Sequence, residues 1–101
     1  MRNYEFTAQA KDDLLEIWCF IASDNLQAAD KLEEEIYAAC ELLAKNPGLG
    51  HKRRDLTSEP ALFWPVRGVY LIIYLDGTKP VKILRVIHGA RDVSSESGFA
   101  I

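Results

Sequence analysis

Long apolar runs are missing from this chain. No stretch of its 101 residues approaches the roughly 20 apolar residues that a membrane-crossing helix needs, and Met1-Arg2-Asn3-Tyr4-Glu5-Phe6 lacks the apolar core of a signal peptide. The expectation is a cytoplasmic protein with no membrane partner. Cysteine is scarce as well: Cys19 and Cys40 fall in predicted helices, where a small buried hydrophobe is a commoner role than a disulfide. Neither cysteine forms a zinc-module spacing with His51 or His88, so no metal site is expected. A glycine-rich phosphate loop is absent, and with it the usual sign of a nucleotide cofactor. Glu33-Glu34-Glu35 point in different directions around a helix and form no paired-carboxylate site, while Ser94, Ser95 and Ser97 have no base near them in sequence.

What is present suits one compact domain over residues 1–101, with 49% hydrophobic and 27% charged residues. The formal net charge of −3 hides an asymmetry. Residues 1–50 hold four basic against ten acidic residues, net −6, and residues 51–101 hold eight against five, net +3. The second half is the better contact surface for an acidic partner. Its excess is smaller than the basic footprint of most nucleic-acid-binding domains, so sequence-specific nucleic-acid binding is not expected.

Hydrophobic periodicity sets the order of elements. Residues 3–7 alternate as a short strand with Tyr4 and Phe6 inward, and Thr7 can cap a helix running to about residue 24 on the stripe Ala10, Leu14, Ile17, Trp18 and Ile21. Asp24 or Asn25 can cap a second helix, inward on Ala29, Leu32, Ile36, Ala39, Cys40 and Leu43, and Asn46-Pro47-Gly48 stops it. Three strands follow, over residues 61–66, 69–75 and 81–88. Pro65 cannot donate a ladder hydrogen bond, which marks the first of them as an edge or bulged strand. The expected fold is α+β, ordered β-α-α-β-β-β, with a helical hairpin on one face of a mostly antiparallel sheet. Alternation places Leu71, Ile73, Leu75, Leu84 and Val86 toward the helices in one core. It leaves Tyr70, Ile72 and Tyr74 with Arg85 on an open face.

The closing segment, Lys82-Ile83-Leu84-Arg85-Val86-Ile87-His88-Gly89-Ala90-Arg91-Asp92, carries the sharpest functional signal. An arginine in such an apolar strand is either paired inside the protein or displayed on an open face, since burial alone costs several kcal/mol, roughly. Both readings of Arg85 stay open. Arg91-Asp92 reads as an ion pair closing the sheet end, His88 as a hydrogen-bonded histidine before general base, and Lys52-Arg53-Arg54 as a solvated loop before binding patch. Trp64 reads equally as core or as a partner anchor. The binding candidates are therefore Arg53, Arg54, Trp64, Arg67, Tyr70, Tyr74, Arg85, His88 and Arg91, with no catalytic residue assigned.

An ordered set of segments along nearly the whole chain resembles the ParE/RelE superfamily of type II toxins, on its ParE side. It comprises the helix Ala10-Lys11-Asp12-Asp13-Leu14-Leu15-Glu16-Ile17, Ala28-Ala29 after Asp24-Asn25, Asn46-Pro47-Gly48-Leu49-Gly50-His51, Phe63-Trp64-Pro65-Val66, Tyr70-Leu71-Ile72-Ile73-Tyr74 and the segment from Arg85 to Asp92. The resemblance implies a small toxin neutralised by a cognate antitoxin in a hetero-oligomer. ParE members poison DNA gyrase, and RelE members cleave messenger RNA on the ribosome. A nuclease of that kind needs a base, an acid and cations for the phosphorane. Arg67, Arg85 and His88 could imitate part of this set, but residues 93–101 contain no tyrosine, histidine, lysine or arginine. The expected function is a non-enzymatic toxin that inhibits gyrase by binding. The alternatives are a ribosome-dependent endoribonuclease and a degenerate toxin that only binds its antitoxin.

Overall fold

The computed structural model describes residues 3–92; residues 93–101, on which the expectation against a nuclease partly rested, lie outside the described residues. Strand β1 (Tyr4–Phe6) leads into helices α1 (Ala8–Ala22) and α2 (Leu26–Lys45), then β2 (Leu62–Val66), β3 (Tyr70–Leu75), β4 (Val81–His88) and a single turn of helix, α3 (Gly89–Asp92). The sheet order is β1-β4-β3-β2, with β1 parallel to β4 and the other pairings antiparallel. The α+β order read from the sequence holds, and β2 is an edge strand, as Pro65 requires.

Local chemistry starts and stops these elements. Thr7 Oγ1 accepts the Ala10 N–H at 3.1 Å and caps α1, and Asn25 Oδ1 accepts the Ala28 N–H at 3.0 Å and caps α2. Arg67 and Gly68 both adopt positive φ, 57° and 69°, in the turn that returns β2 into β3, and Val69 N–H donates to Val66 O at 3.1 Å. Arg67 occupies the strained position and forms an ion pair with Glu35 of α2.

The faces of the sheet depart from simple alternation. Leu62, Val66, Ile72, Tyr74, Ile83 and Val86 meet Ala10, Leu14, Ile17, Leu32, Ile36, Cys40 and Leu43 of the helices in the main core. A second core lies on the opposite face, where Phe63, Ile73 and Ile87 pack with Leu56 and Ala61 of the long connection, and Leu71, Leu75 and Leu84 pack against it. The expectation of one core facing Leu71, Ile73, Leu75 and Leu84 is thus corrected. The connection over residues 50–61 lays Leu56 and Ala61 on what a bare sheet would leave in water, so aliphatic residues are satisfied on either face. Tyr74 is fully buried rather than displayed. Its hydroxyl donates to Pro47 O at 2.7 Å and accepts the Gly50 N–H at 2.8 Å, which ties the sheet to the end of α2. Burial, with a smaller opposing effect from Gly50, pushes the Tyr74 pKa up.

A register shift in the β3–β4 ladder supplies the other departure. Ile73 faces Arg85 and Tyr74 faces Ile83, so Leu84 is the extra residue of a β-bulge. The bulge puts Ile83 and Val86, three positions apart, into the same core. Strand alternation alone assigns them to opposite faces. Trp18 also leaves the core stripe: it is half-buried, and its indole N–H donates to Asp30 of α2 at 2.9 Å. Cys40 is buried as expected, whereas Cys19 is exposed on the outer side of α1.

Two outcomes follow from this packing. Tyr74→Phe leaves the Gly50 N–H and Pro47 C=O without their shared partner, and urea titration should show a loss of about 1–3 kcal/mol with an unchanged slope. Burial, aided by the charge of Glu41, pushes the Cys40 thiol up to about 12. Because thiolate is the reactive form, a disulfide reagent near neutral pH should label Cys19 in the folded protein and Cys40 only after unfolding. Equal labelling rates for the two would contradict the packing.

Candidate interaction surface

Arg85 is the residue the sequence left undecided, and its geometry is now specific. Its Nε and Nη2 donate to the two carboxylate oxygens of Asp13 in α1, at 2.7 and 3.0 Å. The side chains of Arg85 and Asp13 are 19% and 13% exposed, so the pair is largely removed from water. One Asp13 oxygen also accepts the Val86 N–H at 3.1 Å, and Thr7 Oγ1 donates to Leu84 O at 2.8 Å. Strand β1 pairs with β4 only as far as Ile83. Beyond that point, side chains from the start of α1 satisfy the backbone groups of the bulge in place of a strand. The doubly hydrogen-bonded Asp13 raises the Arg85 pKa, against the opposing effect of burial. Arg85 therefore does not stand on an open face beside the tyrosines.

The end of β4 forms a second hydrogen-bonded cluster. His88 N–H donates to Asp92 Oδ2 at 3.0 Å, Arg91 N–H donates to His88 Nδ1 at 3.1 Å, and Arg91 Nε donates to Asp92 Oδ1 at 3.0 Å. With Nδ1 accepting, the proton of the neutral ring sits on Nε2. The Arg91 hydrogen bond is the main cause holding the Asp92 carboxyl below its ordinary range. The Tyr70 ring meets His88 edge to face, with centroids 5.5 Å apart. Two cavities share this aromatic pair. One, of about 400 Å³, reaches Arg53, Leu56, Val69 and Leu71; the other, of about 230 Å³, reaches Ile17, Phe20 and Arg91. Together they make a trench across the end of the sheet.

A family model described as the ParE toxin of the type II toxin-antitoxin system parDE matches residues 4–93. The chain belongs to this family. Toxin ParE1 of Caulobacter vibrioides is 26% identical over 99 residues, covering 97% of this chain and 100% of that protein. The solved structure described as the chromosomal ParDE TA system from P. aeruginosa superposes with a TM-score of 0.68 at 19% identity, covering 87% of this chain and 96% of the other, and confirms the fold.

The binding candidates of this ParE-family toxin are distributed unevenly. Arg53, Tyr70, His88 and Arg91 line the trench. Arg53 is paired with Asp55 at 3.0 Å, and this hydrogen bond is the leading cause of the lowered Asp55 pKa. Arg54 is exposed, and with Lys52 it lines a neighbouring cavity of about 390 Å³. Trp64 packs half-buried against the main core and stacks on His51, whose backbone bonds reciprocally to Phe63 at 2.8 Å along the outer edge of β2. Arg67 turns to Glu35 and Tyr74 is enclosed, so neither joins the trench. Sequence reasoning missed Phe20, 71% exposed, and Val69, 40% exposed. Phe20 lies off the inward stripe of α1, a signal that was available. Asp13 gave none, being one acidic residue among several on that helix.

The Arg85–Asp13 pair should behave as a structural tie. Arg85→Ala strands a largely buried carboxylate, and chemical denaturation should show a cost of about 2–4 kcal/mol, near the range for broken buried pairs. The double variant with Asp13→Ala should be non-additive, since both changes remove one interaction. Full additivity would mean that the two side chains are energetically independent.

Proposed function

We propose that this chain is the toxin of a type II pair that binds DNA gyrase, stabilises its cleaved DNA and is held inactive by a cognate antitoxin in a hetero-oligomer. Membership of the ParE family supports the reading. So does the engagement of Arg85, which carries the argument: the strand arginine that could serve phosphorane stabilisation is held through its Nε and Nη2 by the Asp13 carboxylate. His88 Nδ1 accepts the Arg91 N–H, so the lone pair a base would use is engaged in this arrangement. Action by binding asks less of the site: exposed apolar and cationic groups on a rigid frame suffice. The trench and the basic loop at Lys52 and Arg54 offer both, and the positive second half would steer acidic partner surfaces toward them. No helix among the described residues is long and apolar enough to cross a membrane, and action on gyrase would place the protein in the cytoplasm.

Purified protein added to gyrase and supercoiled plasmid should accumulate protein-linked linear DNA, and the antitoxin from the neighbouring reading frame should suppress it. Cleavage of ribosome-bound messenger with no effect on gyrase would reverse the assignment to the nuclease branch.

A further inference from the structure

We propose that the cavity at the basic loop, which shares only Arg53 with the trench, is a contact site for the phosphodiester backbone of duplex DNA. The inference deepens the reading above, in which the toxin acts on DNA held by gyrase, and it rests on that reading for its partner. The cavity has a volume of about 390 Å³, and its charged and polar lining is Lys52, Arg53, Arg54, Thr57, Ser58 and Glu59, three cations against one carboxylate. Asp55 engages Arg53, whereas Lys52 and Arg54 are exposed and hold no ion pair among the described residues.

A connection of this length presents such groups in a fixed array only if it is tied down. Leu56 and Ala61 are buried in the second core, and the Arg53 carbonyl accepts the Leu56 N–H at 2.9 Å and the Thr57 N–H at 3.1 Å. Thr57 Oγ1 accepts the Glu59 N–H at 3.0 Å, which leaves the hydroxyl proton to donate outward. Cationic and hydroxyl donors are thus already in position, and little ordering remains to oppose binding.

The rest of the lining decides the occupant. It consists of Pro60 and the buried Ala61, with no aromatic and no large aliphatic side chain. A protein segment would find no anchor of the kind that carries interface affinity, and single-stranded bases would find no ring to stack on. Phosphate oxygens need neither, because cations and hydroxyls suffice, and such contacts position a duplex without reading its sequence. The net charge of −3 and the acidic hairpin confine the contact to this loop, so free DNA binds weakly. Gyrase, by holding the toxin beside its own DNA, would raise the effective concentration of phosphate at the site.

The test is an amide NMR titration of isotopically labelled toxin with a short DNA duplex of mixed sequence at several salt concentrations. Lys52→Ala/Arg54→Ala, a control Lys31→Ala/Lys45→Ala, and polyglutamate in place of DNA are run beside it. Lys31 and Lys45 are exposed on α2 and line no part of this cavity, yet their removal changes the net charge equally. DNA should shift the amides of residues 52–58, with affinity falling at a log–log slope of roughly −2 in salt for two phosphate contacts. The loop variant should keep the wild-type thermal midpoint, bind about tenfold or more weakly and lose most of the slope, while the control keeps it. An unchanged slope in the loop variant, an equal loss in the control, or shifts confined to other parts of the chain overturns the inference. Polyglutamate that binds the loop as tightly as DNA would give the site to an acidic protein surface and likewise overturn it. A wild-type toxin that traps gyrase-cleaved DNA while its loop ignores the duplex removes this inference alone. A loop that binds the duplex in a toxin without effect on gyrase removes only the gyrase reading, and the phosphate site stands.

Discussion

The contact between Asp13 and the bulge of β4 governs the arrangement of the other parts. One carboxylate receives two donors from Arg85 and the N–H of Val86, while Thr7 caps α1 and holds Leu84 O from the same helix start. Strand β1 is only three residues long, and the central strand would otherwise run on with backbone groups exposed to the low-dielectric side of a helix. The bulge and the helix start resolve this together: the bulge turns Val86 into the main core, and α1 supplies the missing partners. Removing either component strands polar groups of the other, and this coupling explains why an arginine is tolerable in so apolar a strand.

A second consequence concerns how the sheet is covered. The helical hairpin takes one face, and Leu56 with Ala61 takes the other, so both faces of β3 and β4 are lined with large aliphatic residues. This arrangement confines the sites where a partner can meet the sheet to its ends and edges. The cluster of His88, Arg91 and Asp92 closes the end of β4 with local hydrogen bonds and leaves the Tyr70–His88 pair between two cavities. Helices and sheet end also differ in charge, because the hairpin comes wholly from the acidic half of the chain and the trench mostly from the basic half. A small toxin with one acidic layer and one basic rim can orient an approaching partner before contact.

The chemistry available at this surface suits recognition. Its cations are already engaged by neighbouring carboxylates, and its histidine is fixed by a backbone donor. Such groups can exchange partners at a protein interface with small penalties, whereas the proton transfers of RNA cleavage need a base and an acid held ready. The engagement of Arg85 by Asp13 is compatible with the action by binding proposed above.

Much of the fold was legible in the sequence because its determinants are local. Thr7 before an amphipathic stripe, Asn46-Pro47-Gly48 after one, Arg67-Gly68 between two strands and Pro65 in an edge strand each act within a few residues. The faces of β3 and β4 were not legible, since strand alternation separates two faces without saying which meets the helices. With Ile73 and Ile72 equally apolar, the choice fell to the hydroxyl of Tyr74, which finds partners only at the end of α2. The site followed the same division. Arg53, Tyr70, His88 and Arg91 could be named from residue type, but their gathering into one trench with Phe20 depends on α1 lying beside the end of β4. Arg85 and Asp13 stand 72 residues apart, and only the folded chain brings that cation to its carboxylate, because the energy of burying a charge depends on what lies next to it in space.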